Sequence, residues 1–350
     1  MTAIADYAYL HCRVSMRAEG LLPSRRMAEL ATGPSSQVAE ILREAQFYHL
    51  AENPTADSRD LEQSAIVDYM NDIRVLLRPL RGAARAFLSH WKHRYEIINL
   101  KRCIRHQVAG LPPAELRNSL IDIGDMEELP LDELLRAENA EEVLRRLEGT
   151  PYADMARHAR EVYEEQHSLF DLEAVLDSQY YRGLFDHYKA LSENDRQPLT
   201  KLLGALADQV NLVWLLRYRF VFGLAPPHAY LLLIPSGQML KQSQLLELVQ
   251  MEKAADVIQS LPAPLLESLG DATSIVAVEK IMDKRTQRVA HRILRHTQFN
   301  LARAIAYLAL RERQILKVHA ALKGRILGLD EESIRIATSL PESFLSDSSA

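Results

Sequence analysis

Residues 66–88, IVDYMNDIRVLLRPLRGAARAFL, decide the fold class of this chain. Their apolar side chains recur every three or four positions, as on the core-facing stripe of an amphipathic helix. The members of this stripe are Ile66, Tyr69, Met70, Ile73, Leu76, Leu77, Leu80, Ala84 and Leu88. Pro79 lies inside the pattern and lacks a backbone donor, so we expect the helix to kink or divide there.

The composition of the whole chain also favours helix. Its 350 residues contain only 13 glycines, about half of the ~7% average usage. Leu, Ala, Arg and Glu, which are good helix formers, dominate the sequence. The only strand-like run is YLLLI at 230–234, which we expect to form either a strand or a buried linker. We therefore predict an all-α fold.

Composition excludes several classes of protein. With 42 Lys and Arg against 47 Asp and Glu, the net charge is −5, so the whole chain is not a strongly basic nucleic-acid binder. Two cysteines, Cys12 and Cys103, are too few for a disulfide framework and suit a reducing compartment. No apolar run approaches the ~20 residues that span a bilayer, and the N-terminus lacks a signal-peptide pattern. We expect a soluble, cytosolic protein, which is compatible with its lying against a membrane.

Two helical segments repeat one motif. NLKRCIR at 99–105 and NLVWLLR at 211–217 both begin with Asn-Leu and place an arginine six residues after the asparagine. Each segment then runs into a glycine that is followed within three residues by proline. This combination stops a helix, because glycine accepts the left-handed conformation and proline cannot continue the helix.

The motif extends upstream to an acidic residue and recurs a third time in degenerate form. The acidic residue precedes the asparagine by 37 residues in the first copy and by 38 in the second. The copies are marked by Glu62, Asn99 and Gly110, by Glu173, Asn211 and Gly223, and by Glu279. In the third copy Ile315 replaces the asparagine, and the closing glycine is Gly324 or Gly328.

The spacing of the copies sets the domain organisation that we predict. The motif recurs about every 110 residues, which exceeds the roughly 33–47 residues of the common helical repeats. Each copy is therefore expected to be a small helical domain. The predicted domains are 1–118, 119–228 and 229–337. We expect the remaining residues, 338–350, to form a disordered tail.

Motifs for catalysis are absent from the sequence. It contains no G-x-x-x-x-G-K-[ST] loop, no G-x-G-x-x-G, no H-E-x-x-H and no C-x-x-C pair. Cys103 and His106 lie three residues apart but lack two further ligands at fixed spacing. His90 and His93 lie in a basic stretch, which favours a surface or packing role. We therefore predict no enzyme, no metal site and no cofactor.

Positive charge is concentrated in two helical regions. Residues 74–105 carry nine Lys or Arg against one Glu, and residues 279–325 carry twelve against three acidic residues. These basic residues either lie on solvated helix faces that complement acidic faces of other domains, or form surfaces that bind an acidic partner or lipid headgroups. A helical scaffold that binds nucleic acid through the arginine-rich faces is the alternative function.

Several segments resemble the V-type and archaeal-type ATPase C/d subunit family. YAYLHCRV at 7–14, with EGLL at 19–22, is similar to the first helix of that family. LEGTPY at 147–152 is similar to the start of its second repeat, and the two Asn-Leu helices follow the family's order. The resemblance extends over essentially the whole chain.

The resemblance implies a funnel-shaped subunit built from three pseudo-symmetric helical domains. In that family the subunit lies on the cytoplasmic mouth of the membrane proteolipid ring and receives the foot of the central axle. It belongs to the rotor and transmits torque without catalysing a reaction or binding nucleotide. The implied partners are therefore the axle subunits and the ring of an ion-transporting ATP synthase or ATPase, with a peripheral membrane location and no nucleic acid.

The same resemblance suggests roles for individual residues. Asn99 and Asn211 are expected to hydrogen-bond the backbone where helices start or meet, or else to be exposed polar residues. Arg105 and Arg217 are expected either to contact the axle or to pack their stems on apolar surface with solvated heads. The candidate partner-binding residues are Arg13, Arg74, Arg78, Arg81, Arg85, Arg105, Arg217, Arg285, Arg288 and Arg292.

Overall fold

The computed structural model describes residues 3–235, 237–272 and 274–338. Within these ranges every regular element is a helix, so the all-α prediction is confirmed. The predicted disordered tail lies outside the described residues, apart from Thr338, which ends the last helix.

Nineteen α-helices and one short 3₁₀ helix, at Gly124–Met126, lie in the described ranges. The first seven are α1 (Ala3–Ala18), α2 (Ser24–Thr32), α3 (Ser35–Glu44), α4 (Tyr48–Glu52), α5 (Ser58–Leu77), α6 (Gly82–Ala109) and α7 (Pro113–Ser119). The next six are α8 (Leu131–Leu134), α9 (Ala140–Arg145), α10 (Ala153–Gln166), α11 (Leu169–Lys189), α12 (Glu193–Phe220) and α13 (Pro226–Leu232). The last six are α14 (Gln242–Leu248), α15 (Ala254–Gln259), α16 (Ala263–Leu269), α17 (Ile275–His296), α18 (Leu301–Ile326) and α19 (Glu331–Thr338).

Pairs of long helices recur three times along the chain, as α5–α6, α11–α12 and α17–α18. The first helix of each pair has 20, 21 and 22 residues, and the second has 28, 28 and 26. Glu62, Glu173 and Glu279 are each the fifth residue of the first helix of a pair. The acidic residue of each sequence repeat therefore occupies the same position within the first helix of its pair.

Proline and glycine mark the ends of these helices. Pro79 lies between the end of α5 and the start of α6, so it divides the helix as predicted. Gly110, Gly223 and Gly328 follow the three long second helices with φ of 62°, 68° and 64°, a conformation that glycine adopts without steric penalty. Gly324 instead lies inside α18 and is buried, so Gly328 is the glycine that closes the third copy.

The strand predicted as one alternative for residues 230–234 is wrong. Residues 230–232 are the last turn of α13, and residues 233 and 234 continue as irregular backbone. Pro226 is the first residue of this helix, where its fixed φ and missing N–H are favourable. A short apolar run does not by itself distinguish a strand from a buried helix end, and the side chains at 232–234 are buried.

The described residues form two compact units. Unit 1 comprises residues 3–80, 121–126 and 296–338, and unit 2 comprises 81–120 and 127–295 with the gaps given above. The first and third helix pairs are thus each divided between the units, whereas α11 and α12 lie together in unit 2. The three predicted domains, which were defined by sequence repeats rather than by packing, remain a prediction.

In unit 1, α18 packs against α1, α2, α5 and α19, and the Arg311 side chain in the middle of α18 is fully buried. Its guanidinium donates to the carbonyl oxygens of Ala45, at 2.6 Å, and Gln46, at 2.9 Å. The group stacks 3.6 Å from the ring centroid of Phe47, and Nε lies 3.2 Å from Asp72 Oδ2. The charge is therefore buried together with a carboxylate, as a buried ion requires.

In unit 2, α11 packs against α6 and α10, and α12 packs against α13. Among the described residues, α12 is the one helix that is long and apolar enough to cross a membrane. In its most apolar stretch 72% of the residues are buried in the protein, which is also the property of a helix at the centre of a helical unit.

Candidate functional site

The repeat asparagine of α12 holds the chain segment that follows the helix. Asn211 is fully buried; its Nδ2 donates to the carbonyl oxygen of Ile234 at 3.0 Å and its Oδ1 accepts from the Ile234 N–H at 2.8 Å. One turn earlier, the buried carboxylate of Asp208 accepts from the backbone N–H groups of residues 238, 239 and 240. The two side chains therefore supply partners to backbone groups that no helix satisfies.

Each long second helix carries a comparable pair of buried polar residues three positions apart. The pairs are Glu96 and Asn99 in α6, Asp208 and Asn211 in α12, and Arg311 and Gln314 in α18. Asn99 hydrogen-bonds the Glu127 carboxyl group, and Gln314 donates to the Gly20 carbonyl oxygen at 3.0 Å. The sequence comparison missed the third pair, because it aligned Ile315 rather than Gln314 with the asparagines.

The repeat arginines pair with the repeat glutamates of the next copy. Arg105 on α6 forms a two-contact ion pair with Glu173 on α11. Arg217 on α12 pairs with Glu279 on α17 at 2.8 Å. Four of the motif residues thus form two ion pairs that link consecutive helix pairs within unit 2. The partners lie 68 positions apart in the first ion pair and 62 in the second. In the third copy, Ala320 lies six positions after Gln314, and alanine cannot form such a pair.

An aromatic groove lies beside the second ion pair. We use this name for a cavity of about 420 Å³ between α11, α12 and α17. Its lining residues are Phe170, Glu173, Ala174, Asp177, Trp214, Arg217, Tyr218, Val221, Phe222, Ile275 and Val276. Phe170 packs against Phe222 with ring centroids 4.3 Å apart, and Val221 and Phe222 are 62% and 52% exposed. Exposed apolar residues in a concave surface with a charged rim are typical of protein-binding sites.

The predicted partner-binding arginines differ in their local contacts and exposure. Arg13 lies 4.8 Å from the ring centroid of Tyr9 and donates to its hydroxyl oxygen. Arg285, predicted to bind a partner together with Arg288 and Arg292 on the same helix, is only 13% exposed and lies 3.7 Å from the buried Asp208. Arg288 and Arg292 themselves are exposed. The periodicity therefore did not predict that a buried carboxylate on α12 draws one arginine toward the core.

The predicted arginines at positions 74, 78, 81 and 85 fall in both units. Arg74 and Arg78 belong to unit 1 and line a second cavity. Arg81 precedes α6 and Arg85 lies in its first turn, both in unit 2, and each has an interaction partner.

A partly buried polar cluster beside α6 contains the residues closest to a metal-binding arrangement among those described. His93, Glu96 and Glu128 place ligand-capable atoms within 4.8 Å of one another. Lys92 Nζ contacts both carboxylates, at 2.7 Å in the case of Glu128, and the Tyr152 hydroxyl donates to Glu96. An internal ammonium group therefore supplies the positive charge that these carboxylates need.

The histidines and the cysteine of α6 are packing residues. His90 donates from Nε2 to the Tyr180 carbonyl oxygen at 2.9 Å and is buried, which fits the packing role considered for it. Burial lowers the pKa of His90 to about 4. Cys103 is also buried, which raises its thiol pKa to about 12, and His106 bonds the Pro112 carbonyl oxygen at 2.8 Å. Both cysteines are free.

Comparison with known proteins finds relatives that match almost the whole chain. Residues 10–336 match the ATP synthase (C/AC39) subunit family. The C subunit of the A-type ATP synthase of Methanothermobacter thermautotrophicus is 26% identical over 328 residues, covering 91% of this chain and 84% of that protein. The protein of the same name from Halobacterium salinarum is 23% identical over 344 residues, covering 95% and 97%. That of Haloferax volcanii is 25% identical over 341 residues, covering 93% and 95%.

The residue resemblance and the whole-chain match identify the same group of proteins. The family match leaves only the first nine and last fourteen residues uncovered. The chain belongs to the ATP synthase (C/AC39) subunit family, the C/d subunits of V-type and archaeal-type ATPases.

Proposed function

We propose that this chain is a non-catalytic central-stalk subunit that couples the axle of a V/A-type ATPase or ATP synthase to the membrane proteolipid ring. In this role it lies at the cytoplasmic face of the membrane, turns with the rotor and transmits torque for ion transport. It needs no nucleotide, metal or cofactor of its own. The observation that carries the proposal is the family match over residues 10–336, together with relatives named as the C subunit of A-type ATP synthases.

Three helix-pair modules suit a mechanical role. A coupling subunit must resist twisting, and long helices joined by side-chain contacts provide stiffness without any chemistry. The Arg105–Glu173 and Arg217–Glu279 pairs link α6 to α11 and α12 to α17. We propose that these contacts keep successive modules in register in the three-module, funnel-shaped body that the family resemblance implies.

The aromatic groove is our candidate for the contact with the axle. Val221, Phe222 and Val276 are exposed apolar residues in the groove, and a helical axle segment can bury apolar residues there. Arg217 on the groove wall would then meet an acidic residue of that segment or stay paired with Glu279. Burying apolar surface supplies most of the affinity of such a contact, while rim charges set its orientation.

The experiment is reconstitution with the axle and proteolipid subunits of the same organism. The wild-type chain is expected to bind both, to show no ATPase activity alone and to join them in one complex. The double substitution V221S/F222S is expected to weaken binding to the axle subunits by about tenfold or more, since hot-spot residues commonly contribute at least ~2 kcal/mol each. Val108, also exposed and in unit 2, provides the matched control V108S.

The outcomes separate the proposal from its alternative. Failure of the wild-type chain to bind either partner would overturn the coupling role. Equal effects of V221S/F222S and V108S would show that the groove does not bind the axle, while the coupling role of the chain would still stand. The nucleic-acid scaffold predicts salt-sensitive binding of nucleic acid instead. The burial of Arg285 and the pairing of Arg74 with Asp125 do not favour it.

A further inference from the structure

Unit 1 contains a small cavity whose walls carry three arginines. Its volume is about 280 Å³, close to the lower end of the roughly 300–1,000 Å³ of small-molecule pockets. The cavity, which we call the arginine pocket, is lined by Arg17, Gln46, Tyr48, His49, Asp68, Asn71, Arg74, Val75 and Arg78. All of these residues come from α1, from the α3–α4 region, and from α5 with the residue that follows it.

The single carboxylate of the arginine pocket is already occupied. Asp68 is buried, and its Oδ1 lies 2.7 Å from His49 Nδ1. Its oxygens also accept from the backbone N–H groups of His49 and Leu50 at the start of α4. Asp68 therefore fixes α4 onto α5, and its acceptor capacity is not directed at the arginines.

The three arginines retain donors that no described residue uses. Arg17 makes both of its contacts, to Asp72 and Gln46, through Nη1, which leaves its Nε and Nη2 without hydrogen bonds in the described chain. Arg74 uses Nη1 on Asn71 and Nη2 on the exposed Asp125. Arg78 is exposed and makes no hydrogen bond or ion pair with any described residue. Arg17 and Arg74 each pair with one carboxylate and keep spare donors, and Arg78 adds a positive charge that no described carboxylate neutralises.

The backbone and charges behind the pocket are held in place by buried contacts. Arg17 lies against Asp72, which also pairs with the buried Arg311. Arg311 in turn fixes the carbonyl groups of residues 45 and 46 at the pocket wall. Because these contacts lie inside the protein, the wall of the pocket is already formed, and binding a ligand costs little conformational entropy.

We propose that the arginine pocket binds a phosphate group. Guanidinium groups match phosphate oxygens with paired donors and are weakly hydrated, so clustered arginines with spare donors favour phosphate over halide or water. Tyr48 and Val75 add an apolar wall, which suits the organic part of a phosphate ester. The phosphate belongs either to a free phosphate compound or to the headgroup of an anionic lipid, and the experiment distinguishes these sources.

The test uses the full-length chain and two probes, inorganic phosphate and lipid vesicles. Calorimetry measures phosphate binding, and co-sedimentation compares vesicles of phosphatidylcholine alone with vesicles of equal parts phosphatidylcholine and phosphatidylglycerol. The test variant is R74Q/R78Q, with R78Q alone as the milder change. Neither residue contacts the buried Asp72–Arg311 pair, so both variants are expected to keep the wild-type circular dichroism and melting temperature. The matched control is R59Q, because Arg59 is an exposed arginine on the same helix outside the pocket.

We expect R74Q/R78Q to weaken binding by about tenfold or more, since a hydrogen bond to a charged group contributes roughly that factor or more, and R59Q to change it less than about twofold. Binding of inorganic phosphate that depends on the arginines would support a free phosphate compound as the ligand. Binding of phosphatidylglycerol vesicles alone, with the same dependence, would support a lipid headgroup. The proposal is overturned if the wild-type chain binds neither probe, or if R59Q and R74Q/R78Q lose binding equally. Neither result bears on binding of the axle, which is tested at another surface.

Discussion

Arg217 forms a 2.8 Å ion pair with Glu279, although 62 residues separate them in the chain. The arginine lies six residues after the repeat asparagine of α12, and the glutamate is the fifth residue of α17. Arg105 and Glu173 are related in the same way. The repeat arginine of one copy therefore pairs with the repeat glutamate of the next copy. Both members of the Arg217–Glu279 pair are 44% exposed, so we expect each such pair to stabilise the fold by only about 0–1 kcal/mol.

Reversing the charge at Arg217 tests whether this pair fixes register. We expect R217E to lower the free energy of unfolding by about 1 kcal/mol at low salt, because two carboxylates then face each other. The swap R217E/E279R is expected to recover most of the loss, measured by urea denaturation. High salt should shrink both effects. A double variant no more stable than R217E would show that the pair makes no specific contribution.

Asn211 is expected to matter far more for stability than an exposed asparagine of the same chain. In N211L the N–H and C=O of Ile234 lose their side-chain partner inside the core, so we expect a loss of about 2–4 kcal/mol in the free energy of unfolding. Asn118 on α7 is exposed, and N118L should change stability by less than about 0.5 kcal/mol. Chemical denaturation measures both, and equal effects would contradict the anchoring role of Asn211.

His90 makes the stability of unit 2 sensitive to acid. Burial lowers its folded-state pKa to about 4, while the unfolded chain has the ordinary value of about 6.5. Between these values the unfolded state binds a proton that the folded state does not, so this contribution is fully present above pH 6.5 and is lost as the pH falls toward 4. The shift corresponds to a change on the order of 3 kcal/mol.

The variant H90Q isolates that contribution, since glutamine retains an amide donor for the Tyr180 carbonyl but does not titrate. We expect the stability advantage of the wild type over H90Q to decrease as the pH is lowered from 7 to 4.5, in urea denaturation at several pH values. If the difference in stability between the wild type and H90Q stays constant across this pH range, the His90 imidazole is not held neutral in the folded protein.

Gly183 is expected to resist substitution even though it lies inside α11. A Cβ at this position would lie 2.5 Å from His90 Cε1, so the imidazole would have to move. Alanine normally favours a helix over glycine by about 1 kcal/mol, yet we expect G183A to destabilise the fold by about 1–3 kcal/mol. In a double-mutant cycle with H90A the two changes should couple by more than about 0.5 kcal/mol. A more stable G183A variant would refute the close contact.

Periodicity and helix-stop signals predicted the elements of this fold well. The stripe that begins at Ile66 faces the core, Pro79 divides its helix, and the glutamates of the repeat fall at equivalent helix positions. These features depend on local backbone preferences, which a single sequence contains. The choice between Gly324 and Gly328 remained open because both lie near the end of the same helix.

Contacts between distant segments were not predictable from the same patterns. Nothing local to Asn211 indicates that its partner is the backbone of Ile234, and the arginine stripe of α17 gives no sign that Arg285 is drawn toward Asp208. A period of 3.6 residues shows which side chains share a face, but not what lies opposite that face. The groove around Phe222 was missed for this reason, since its aromatic residues come from two separate helices.

The closure of unit 1 by α18 has a consequence for biosynthesis. Residues 3–80 leave the ribosome first, yet the helix against which they pack ends at Ile326, some 246 residues later. At translation rates of about 5–20 residues per second, the nascent amino-terminal segment waits on the order of 10–50 s for its partner. During that interval its apolar stripes are without their native cover, so this part of the polypeptide is where we expect chaperones to engage during synthesis.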